Sequence, residues 1–132
     1  MKIFYKKTNT NVPDLRKEND LSATVELCTR INLQGSGKTG RMEIPTGIVI
    51  SIPVGMIGLI HLKPEVGAFM YLRNSFVIDN NYRSEIKLSV FVDNANHNIK
   101  PYDMIADLVI LPTVKAEFKE THHIGAMDPD DT

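Results

Sequence analysis

The stretch FVIDNNYRSEIKLSVFVDN, residues 76–94, decides the fold class of this 132-residue chain. Its second half alternates apolar and polar residues from Ile86 to Asp93, with the period of two that is typical of a half-buried strand. Its first half is a short apolar run, Phe76 to Ile78, followed by Asp79-Asn80-Asn81, whose residue types tolerate left-handed turn geometry. The pattern predicts a β-hairpin whose polar tip carries the Asp79 carboxylate and the Tyr82 phenol.

Similar short apolar runs continue this β pattern along the chain. They predict an edge strand at residues 2–5, a half-buried strand over 25–33, and two strands joined by a Pro-Val-Gly turn within 44–62. Another strand, at 104–111, is apolar on both faces, which predicts burial at a subunit interface. Residues 8–20 show no helical stripe and predict a loop. Many short strands with almost no helix indicate an all-β sandwich or barrel.

The composition excludes several classes of protein. A net charge of −1 without a basic block argues against nucleic acid as a partner, because phosphate neutralisation needs clustered Lys and Arg. The single cysteine, Cys28, cannot form an internal disulfide or hold zinc, which favours a reducing compartment. The N-terminal residues have no apolar signal region, and no apolar run is long enough to cross a membrane. We therefore expect one cytoplasmic domain with no membrane partner.

The segment VIDNNYRSE, residues 77–85, resembles the third signature of the deoxyuridine triphosphatase (dUTPase) family, an apolar-Ile-Asp-x-x-Tyr-Arg-Gly-Glu motif. In that family the backbone of this hairpin contacts uracil, the Asp activates the attacking water, and the Tyr packs against deoxyribose. The resemblance implies that Asp79 is the catalytic base. It also implies nucleotide contacts from Val77, Ile78, Asp79, Tyr82 and Asn74. Phe76 and Ser84 stand where the family has Gly.

Two further signatures match in part. LSATVEL, residues 21–27, is similar to the first signature, with Glu26 in place of the Asp that supports the metal-triphosphate end. Where the second signature has Pro-Arg-Ser-Gly, only Lys63 offers positive charge to the nucleotide, whereas Glu65 would repel phosphate and Val66 donates no hydrogen bond. The resemblance therefore implies a weakened phosphate end.

The C-terminal part departs further from the family. Residues 101–108 resemble the fourth signature, Pro-Gly-Asp-Arg-Ile-Ala-Gln-Leu, but Tyr102 replaces Gly, Met104 replaces Arg, and Asp107 replaces the Gln that faces the phosphates. The Gly-rich arm of the fifth signature, with its Arg and Phe, is missing from residues 119–132.

Three other motifs are weaker than they first look. Gly37-Lys38-Thr39 copies the end of a phosphate-binding loop, but position 32 is Asn and no helix is expected to follow, so residues 34–41 predict a hairpin loop. His61 lies alone in an apolar run and is interpreted as a core or rim histidine. His122 and His123 are adjacent in a polar tail, which does not favour a metal site.

The resemblance covers residues 2–118. It implies a dUTPase-like jelly roll, or β-clip barrel, for a domain 1–118 with a polar, acidic, flexible tail 119–132, and a homotrimer with sites between subunits. It further implies a diverged protein that binds a deoxyuridine-type nucleotide and has weak or lost dUTP diphosphatase activity. Mg²⁺ is expected only when a triphosphate is bound, and no residue of the protein is expected to bind the metal directly.

Two alternatives stay open at this point, and the sequence does not decide whether the protein is an enzyme. One is an active, Mg²⁺-dependent nucleotide diphosphatase of altered specificity that uses Asp79 as its general base. The other is a nucleotide-independent trimeric interaction protein.

Overall fold

The computed structural model describes residues 1–17, 19, 21–34, 39–73, 76–93 and 97–125. This part of the chain contains nine strands and no helix. In chain order the strands are β1 (Phe4–Lys7), β2 (Thr24–Cys28), β3 (Gly40–Pro45), β4 (Ile48–Ser51), β5 (Met56–Leu62), β6 (Met70–Leu72), β7 (Phe76–Ile78), β8 (Lys87–Val92) and β9 (Met104–Pro112). The all-β class predicted from the sequence is confirmed.

The strands form three antiparallel sheets. The first sheet pairs β1 with β4, the second has the order β2-β9-β5-β7, and the third has the order β3-β8-β6. We call them the small sheet, the four-stranded sheet and the three-stranded sheet. Strand β9 lies in the middle of the four-stranded sheet, with β2 on one side and β5 on the other.

Side chains from the inner faces of the two larger sheets meet in one hydrophobic core. Alternation along each strand places every second residue in this core, as the period of two requires. The largest fully buried members are Leu27, Leu33, Ile44, Ile48, Ile52, Met70, Ile78, Ile86, Leu88, Ile105, Leu108 and Val12. Glu26, His61 and Asp107 share the opposite face of the four-stranded sheet.

The predicted hairpin around Asp79 is wrong. Strand β7 pairs with β5 in the four-stranded sheet, whereas β8 pairs with β3 and β6 in the three-stranded sheet. Residues 79–86 therefore cross from one sheet to the other and close only a local turn, with the Tyr82 N–H donating to the Asp79 carbonyl at 3.3 Å. Alternation shows which face of a strand is buried, but it does not show which strand is its partner.

Other boundaries also differ from expectation. The strand predicted over 25–33 ends at Cys28. Beyond it the backbone leaves β9, and the Arg30 N–H donates to the Pro45 carbonyl instead. The predicted turn at residues 53–56 is present, but the strands on its two sides, β4 and β5, belong to different sheets. Residues 68–73, for which the sequence indicated no strand, include the short strand β6.

Beyond β9 the described chain runs on without pairing. Residues 113–125 contain no strand, and all of them are exposed to solvent. They include large apolar side chains, among which Phe118 is 95% exposed. The division into a domain 1–118 and a flexible tail 119–132 stays a prediction.

Candidate functional site

The loop that joins β7 to β8 presents Asp79 and Tyr82. Asp79 is exposed, and its Oδ1 accepts a hydrogen bond from the Asn81 N–H at 2.9 Å, which fixes the carboxylate in the turn. The short polar side chains of Asp and Asn favour this type of turn. One carboxylate oxygen is thus held by the turn, and Oδ2 makes no hydrogen bond to the described residues. The carboxylate is placed to accept a proton from a water or a ligand.

Tyr82 is held in a fixed position by its own hydroxyl. The phenol donates to the Glu85 carbonyl at 2.8 Å, and the ring is half-buried against the core. Burial first, and then the negative charges of Glu43 and Glu85, raise the pKa of Tyr82 above its ordinary value of 10.0. The phenol therefore stays protonated near neutral pH, and the tyrosine offers the ring as a rigid surface.

Glu85 anchors this loop to the rest of the domain. Its carboxylate accepts two hydrogen bonds from Arg30, at 2.9 and 3.2 Å, and one from the Gly47 N–H at 2.7 Å. The hydrogen bond from Arg30 is the main cause that holds the pKa of Glu85 below its ordinary value, although burial opposes it. Gly47 has a left-handed φ of 77°, and a Cβ there would lie 2.5 Å from Cγ2 of Val12, so only glycine fits.

This anchor could not be predicted from the sequence, because Arg30 and Glu85 lie 55 residues apart in the chain. The acidic residue that ends the third signature was visible in the sequence. Its cationic partner was not, because nothing in a single sequence pairs two distant charges.

Strand β7 is an edge strand, since β5 is its one pairing partner within the described chain. An edge strand leaves a row of backbone N–H and C=O groups free for a ligand. Val77 is 52% exposed, whereas Ile78 is fully buried, and Phe76 packs partly buried against the core. The predicted nucleotide residue Asn74 lies outside the described residues.

Lys63 lies between two carboxylates. Its Nζ is 3.0 Å from Oε2 of Glu26 and 3.0 Å from Oδ1 of Asp107, and the exposed fractions of the three side chains are only 12, 16 and 14%. Burial lowers the pKa of Lys63, but the hydrogen bonds to Glu26 and Asp107 outweigh it and raise that pKa above 10.5. The three residues, called here the Lys63 triad, carry a net charge of −1.

Strand register explains why the triad forms. Glu26 on β2 lies opposite Asp107 on β9, and Asp107 lies opposite His61 on β5, so the three side chains share the outer face of the four-stranded sheet. Lys63 follows β5 on the same face. The next row of side chains on this face comprises Thr24, Val109, Leu59 and Val77. All of them except Thr24 are apolar.

The remaining residues of the second signature do not join the triad. Glu65 is exposed, and Val66 is buried in the core. The segment is a tight turn in which the Val66 and Gly67 N–H groups both donate to the Lys63 carbonyl, as expected for a short structural connector.

The structure thus brings together Glu26, Lys63 and Asp107 across β2, β9 and the end of β5. Val77 and Ile78 lie on the edge strand β7, and Asp79 and Tyr82 lie in the loop that follows it. Lys63 follows the Leu62 end of β5, whereas Ile78 pairs with Gly58 and the chain from Asp79 onward continues past the Met56 end, so the triad and Asp79 lie towards opposite ends of β5. A strand rises about 3.3 Å per residue, so Ile78, at the level of Gly58, and Lys63 are separated by roughly 15 Å along the strand.

The other motifs contribute no site in the described part of the chain. His61 is exposed on the outer face of β5, so it is not a core histidine. Among the described residues, no group of three or more His, Cys, Asp or Glu side chains could hold a metal ion. The same part of the chain has no helix that is long and apolar enough to cross a membrane. Residues 35–38 of the Gly-rich loop are outside the described residues, but β3 follows at Gly40 instead of a helix.

Comparison with known proteins agrees with this architecture. The dUTPase family model matches residues 10–131. The chain belongs to the dUTPase family. The deoxyuridine 5'-triphosphate nucleotidohydrolase of Wolbachia pipientis wMel is 37% identical over 76 residues, which cover 54% of this chain and 50% of that protein. The human endogenous retrovirus group K member 9 Pol protein is 31% identical over 108 residues, which cover 80% of this chain and 10% of that protein. The chain therefore spans about half, or much less, of these relatives.

Solved dUTPase structures share the fold. The Staphylococcus bacteriophage 80alpha dUTPase superposes with a TM-score of 0.76 and 16% identity, covering 95% of this chain and 99% of that one. A mutant dUTPase from phage phi11 of S. aureus, described for its coordination of a structural Mg(II) ion, gives a TM-score of 0.76 and 15% identity, covering 96% and 100%. The predicted dUTPase-like jelly roll is confirmed.

Proposed function

We propose that this dUTPase-family chain binds a deoxyuridine-type nucleotide at a site completed by neighbouring subunits, and that it hydrolyses dUTP weakly or not at all. The observation that carries the proposal is the Lys63 triad. The positive charge that would hold a phosphate is shared between Glu26 and Asp107, at 3.0 Å from each.

The base and sugar end of the site supports binding. The free edge of β7 offers the backbone N–H and C=O of one of the two residues Val77 and Ile78, and these groups suit the hydrogen-bonding edge of a pyrimidine. The Tyr82 ring is fixed by the hydrogen bond from its hydroxyl to Glu85, so it can pack against the sugar and leave no room for a 2′-hydroxyl. Asp79 is exposed and is placed to take a proton from water. Phe76 stands where the family has Gly, and its larger side chain could fill the space for the base. It packs against the core instead, which disfavours that arrangement.

The phosphate end supports weak catalysis. Charge that develops on phosphoryl oxygens is stabilised by preorganised donors, and the loss of one donor typically costs on the order of 10²–10³ in rate. The donors implied by the family are replaced by Val66, Met104 and Asp107, and the Lys63 triad presents a net negative charge instead. Such losses are not independent, so their product overstates the effect. The direction is nevertheless the same for all three.

The acidic residues on this face of the sheet do not suit direct binding of Mg²⁺. The carboxylates of Glu26 and Asp107 are the acidic pair on this face, and both are engaged by the Lys63 ammonium. They do not fit a direct metal seat. Any Mg²⁺ would enter with the phosphates of a bound triphosphate, which is how this ion is often held.

A homotrimer is part of the same proposal. Within one chain, the Lys63 triad and Asp79 lie towards opposite ends of β5, so one subunit alone does not close a pocket around a nucleotide. Val114 and Phe118 are 88 and 95% exposed beyond β9, and such large apolar side chains are typical of a surface that another subunit covers. Light scattering should give about three times the chain mass of 14.8 kDa. A monomer at all concentrations would contradict this assembly.

A second candidate is a nucleotide-independent interaction protein. Tyr71 stacks on Phe91 on the outer face of the three-stranded sheet, with ring centroids 5.5 Å apart, and Tyr71 is 54% exposed. An exposed aromatic pair is a common feature of protein-binding surfaces.

For both candidate functions we propose a cytoplasmic location, with neither nucleic acid nor a membrane as partner.

Calorimetric titration with dUMP, UMP and dUTP tests the proposal. We expect dUMP to bind, UMP to bind at least tenfold more weakly, and dUTP to gain little over dUMP because the Lys63 triad repels added negative charge. Tyr82→Ala should bring the affinities for dUMP and UMP close together, whereas the exposed neighbour Arg83→Ala serves as the control. No binding of any of the three nucleotides would overturn the proposal and favour the interaction protein.

A further inference from the structure

The Lys63 triad occupies a place that a metal ion would otherwise suit. Two carboxylates from neighbouring strands, Glu26 and Asp107, approach one point on the outer face of the four-stranded sheet. Oxygen ligands in such an arrangement are what Mg²⁺ and Mn²⁺ prefer, and Mg²⁺ commonly takes one or two carboxylates and keeps several waters. The point between them is filled by the Lys63 ammonium, at 3.0 Å from each carboxylate.

The Lys63 ammonium is built into this position by the fold. The Lys63 N–H donates to the Ile105 carbonyl at 2.9 Å, and the Lys63 carbonyl accepts from Val66 and Gly67. The backbone on both sides of the side chain is thus fixed, and the side chain itself is 12% exposed. A cation that is held by its own chain costs no entropy of association, unlike an ion taken from solution.

The charges favour the ammonium over a metal ion. With Lys63 in place the triad has a net charge of −1, and both carboxylates are already hydrogen-bonded to a cation. Removing the ammonium would leave two carboxylates close together with little exposure, and like charges at such a distance raise the free energy of the site. A divalent ion would relieve that repulsion.

We propose that the Lys63 ammonium is the resident cation of the Glu26–Asp107 pair and keeps divalent metal ions away from it. The name phosphate end for this pair rests on the proposed function. The exclusion of metal ions by Lys63 does not depend on that function. The cation next to the two carboxylates is then part of the protein itself. A nucleotide whose phosphates cannot chelate Mg²⁺ should therefore bind with the same affinity in the presence and absence of the metal.

Thermal unfolding of the free protein tests the proposal without any nucleotide. Wild type and Lys63→Met are melted in millimolar MgCl₂ or MnCl₂ and in KCl of matched ionic strength. We expect the same Tm in both salts for wild type, and a Tm that is higher by several degrees in the divalent salt for Lys63→Met, because a ligand that binds only the folded state stabilises it. The methionine keeps the length and apolar stem of the side chain but removes its charge.

Two controls isolate the carboxylate pair. Lys7→Met removes the other lysine ion pair of the described chain, with Asp14 at 2.9 Å, where one carboxylate alone is present. It should not respond to divalent ions. The triple variant Lys63→Met, Glu26→Gln, Asp107→Asn should lose the response that Lys63→Met gained. If Lys63→Met does not fold, Lys63→Gln takes its place with the same expected response.

The proposal is overturned by either of two results. One is a divalent-specific rise in Tm for wild type that matches the rise for Lys63→Met, because the metal would then bind beside the ammonium. The other is a folded Lys63 variant whose Tm is the same in both salts. Since no nucleotide is present, neither result bears on whether dUMP binds, and the titrations above test that separately.

Discussion

The proposed sugar end and the proposed phosphate end of the candidate site each contain a partly buried ion pair, but the two pairs have opposite consequences for a ligand. At the sugar end, Glu85 takes two hydrogen bonds from Arg30 and one from Gly47, so the charges balance and the loop is fixed. Asp79 remains exposed beside it. At the phosphate end, Lys63 is shared by Glu26 and Asp107, and a negative charge is left over. An ion pair can therefore hold a site open for a ligand or use up the charge that the ligand needs.

The largest expected effect is the loss of the anchor at the sugar end. Glu85→Ala leaves Arg30 and the Gly47 N–H without their partner, and breaking a largely buried ion pair in this way typically costs about 3–5 kcal/mol. Because Arg30 is 35% exposed, we expect the lower part of that range. Denaturant unfolding measures the change in the free energy of unfolding. Glu65→Ala, at an exposed glutamate, is the control and should change it by no more than about 0.5 kcal/mol. Equal effects of the two substitutions would show that Glu85 is not an anchor.

A smaller effect is expected when the phosphate end is made less negative. Asp107→Gln restores the residue implied by the family and takes the net charge of the Lys63 triad from −1 to 0. Removing one unit charge from a partly screened site should strengthen dUTP binding by roughly tenfold while dUMP binding changes little. Calorimetry gives the ratio of the two affinities. An unchanged ratio would separate the Lys63 triad from the phosphates.

The ion pair at the sugar end also predicts a dependence on pH. The pKa of Glu85 is lower in the folded protein than its ordinary value of 4.5, so its contribution to stability is fully present above that pH and is lost as the pH falls through the folded pKa. The difference in unfolding free energy between wild type and Glu85→Gln should be constant from neutral pH to about pH 5 and shrink below it. A difference that grows as the pH falls would have the wrong sign.

The smallest effect is expected at Tyr102, which stands where the family has Gly. Its φ of 71° is left-handed, and a side chain there costs of order 1 kcal/mol relative to glycine. The tyrosine ring also packs partly buried against the core. In Tyr102→Gly the relief of strain and the loss of packing oppose each other, so we expect a net change below about 1 kcal/mol. A loss of several kcal/mol would mean that packing dominates.

The sequence could predict local features and could not predict partners. Alternation identified the strand at Lys87–Val92, because burial on one face leaves a period of two, and a continuous apolar run identified the strand at Met104–Pro112. The same alternation gave a hairpin at Asp79 that is wrong, because it carries no information on which sheet a strand joins. The charge of Lys63 was visible and was expected to face phosphate, but its neutralisation depends on strand register across β2, β9 and β5.

Release of pyrophosphate from dUTP is the most direct test of the weakened phosphate end. We expect a turnover at least 100-fold below the enzymatic median of roughly 10 s⁻¹, since several preorganised donors are replaced. The assay uses the assembled full chain with Mg²⁺ and includes the other deoxynucleoside triphosphates, so that altered specificity is not mistaken for lost activity. Turnover of dUTP, or of any of the others, near 10 s⁻¹ would contradict the weak-catalysis claim and establish an active diphosphatase.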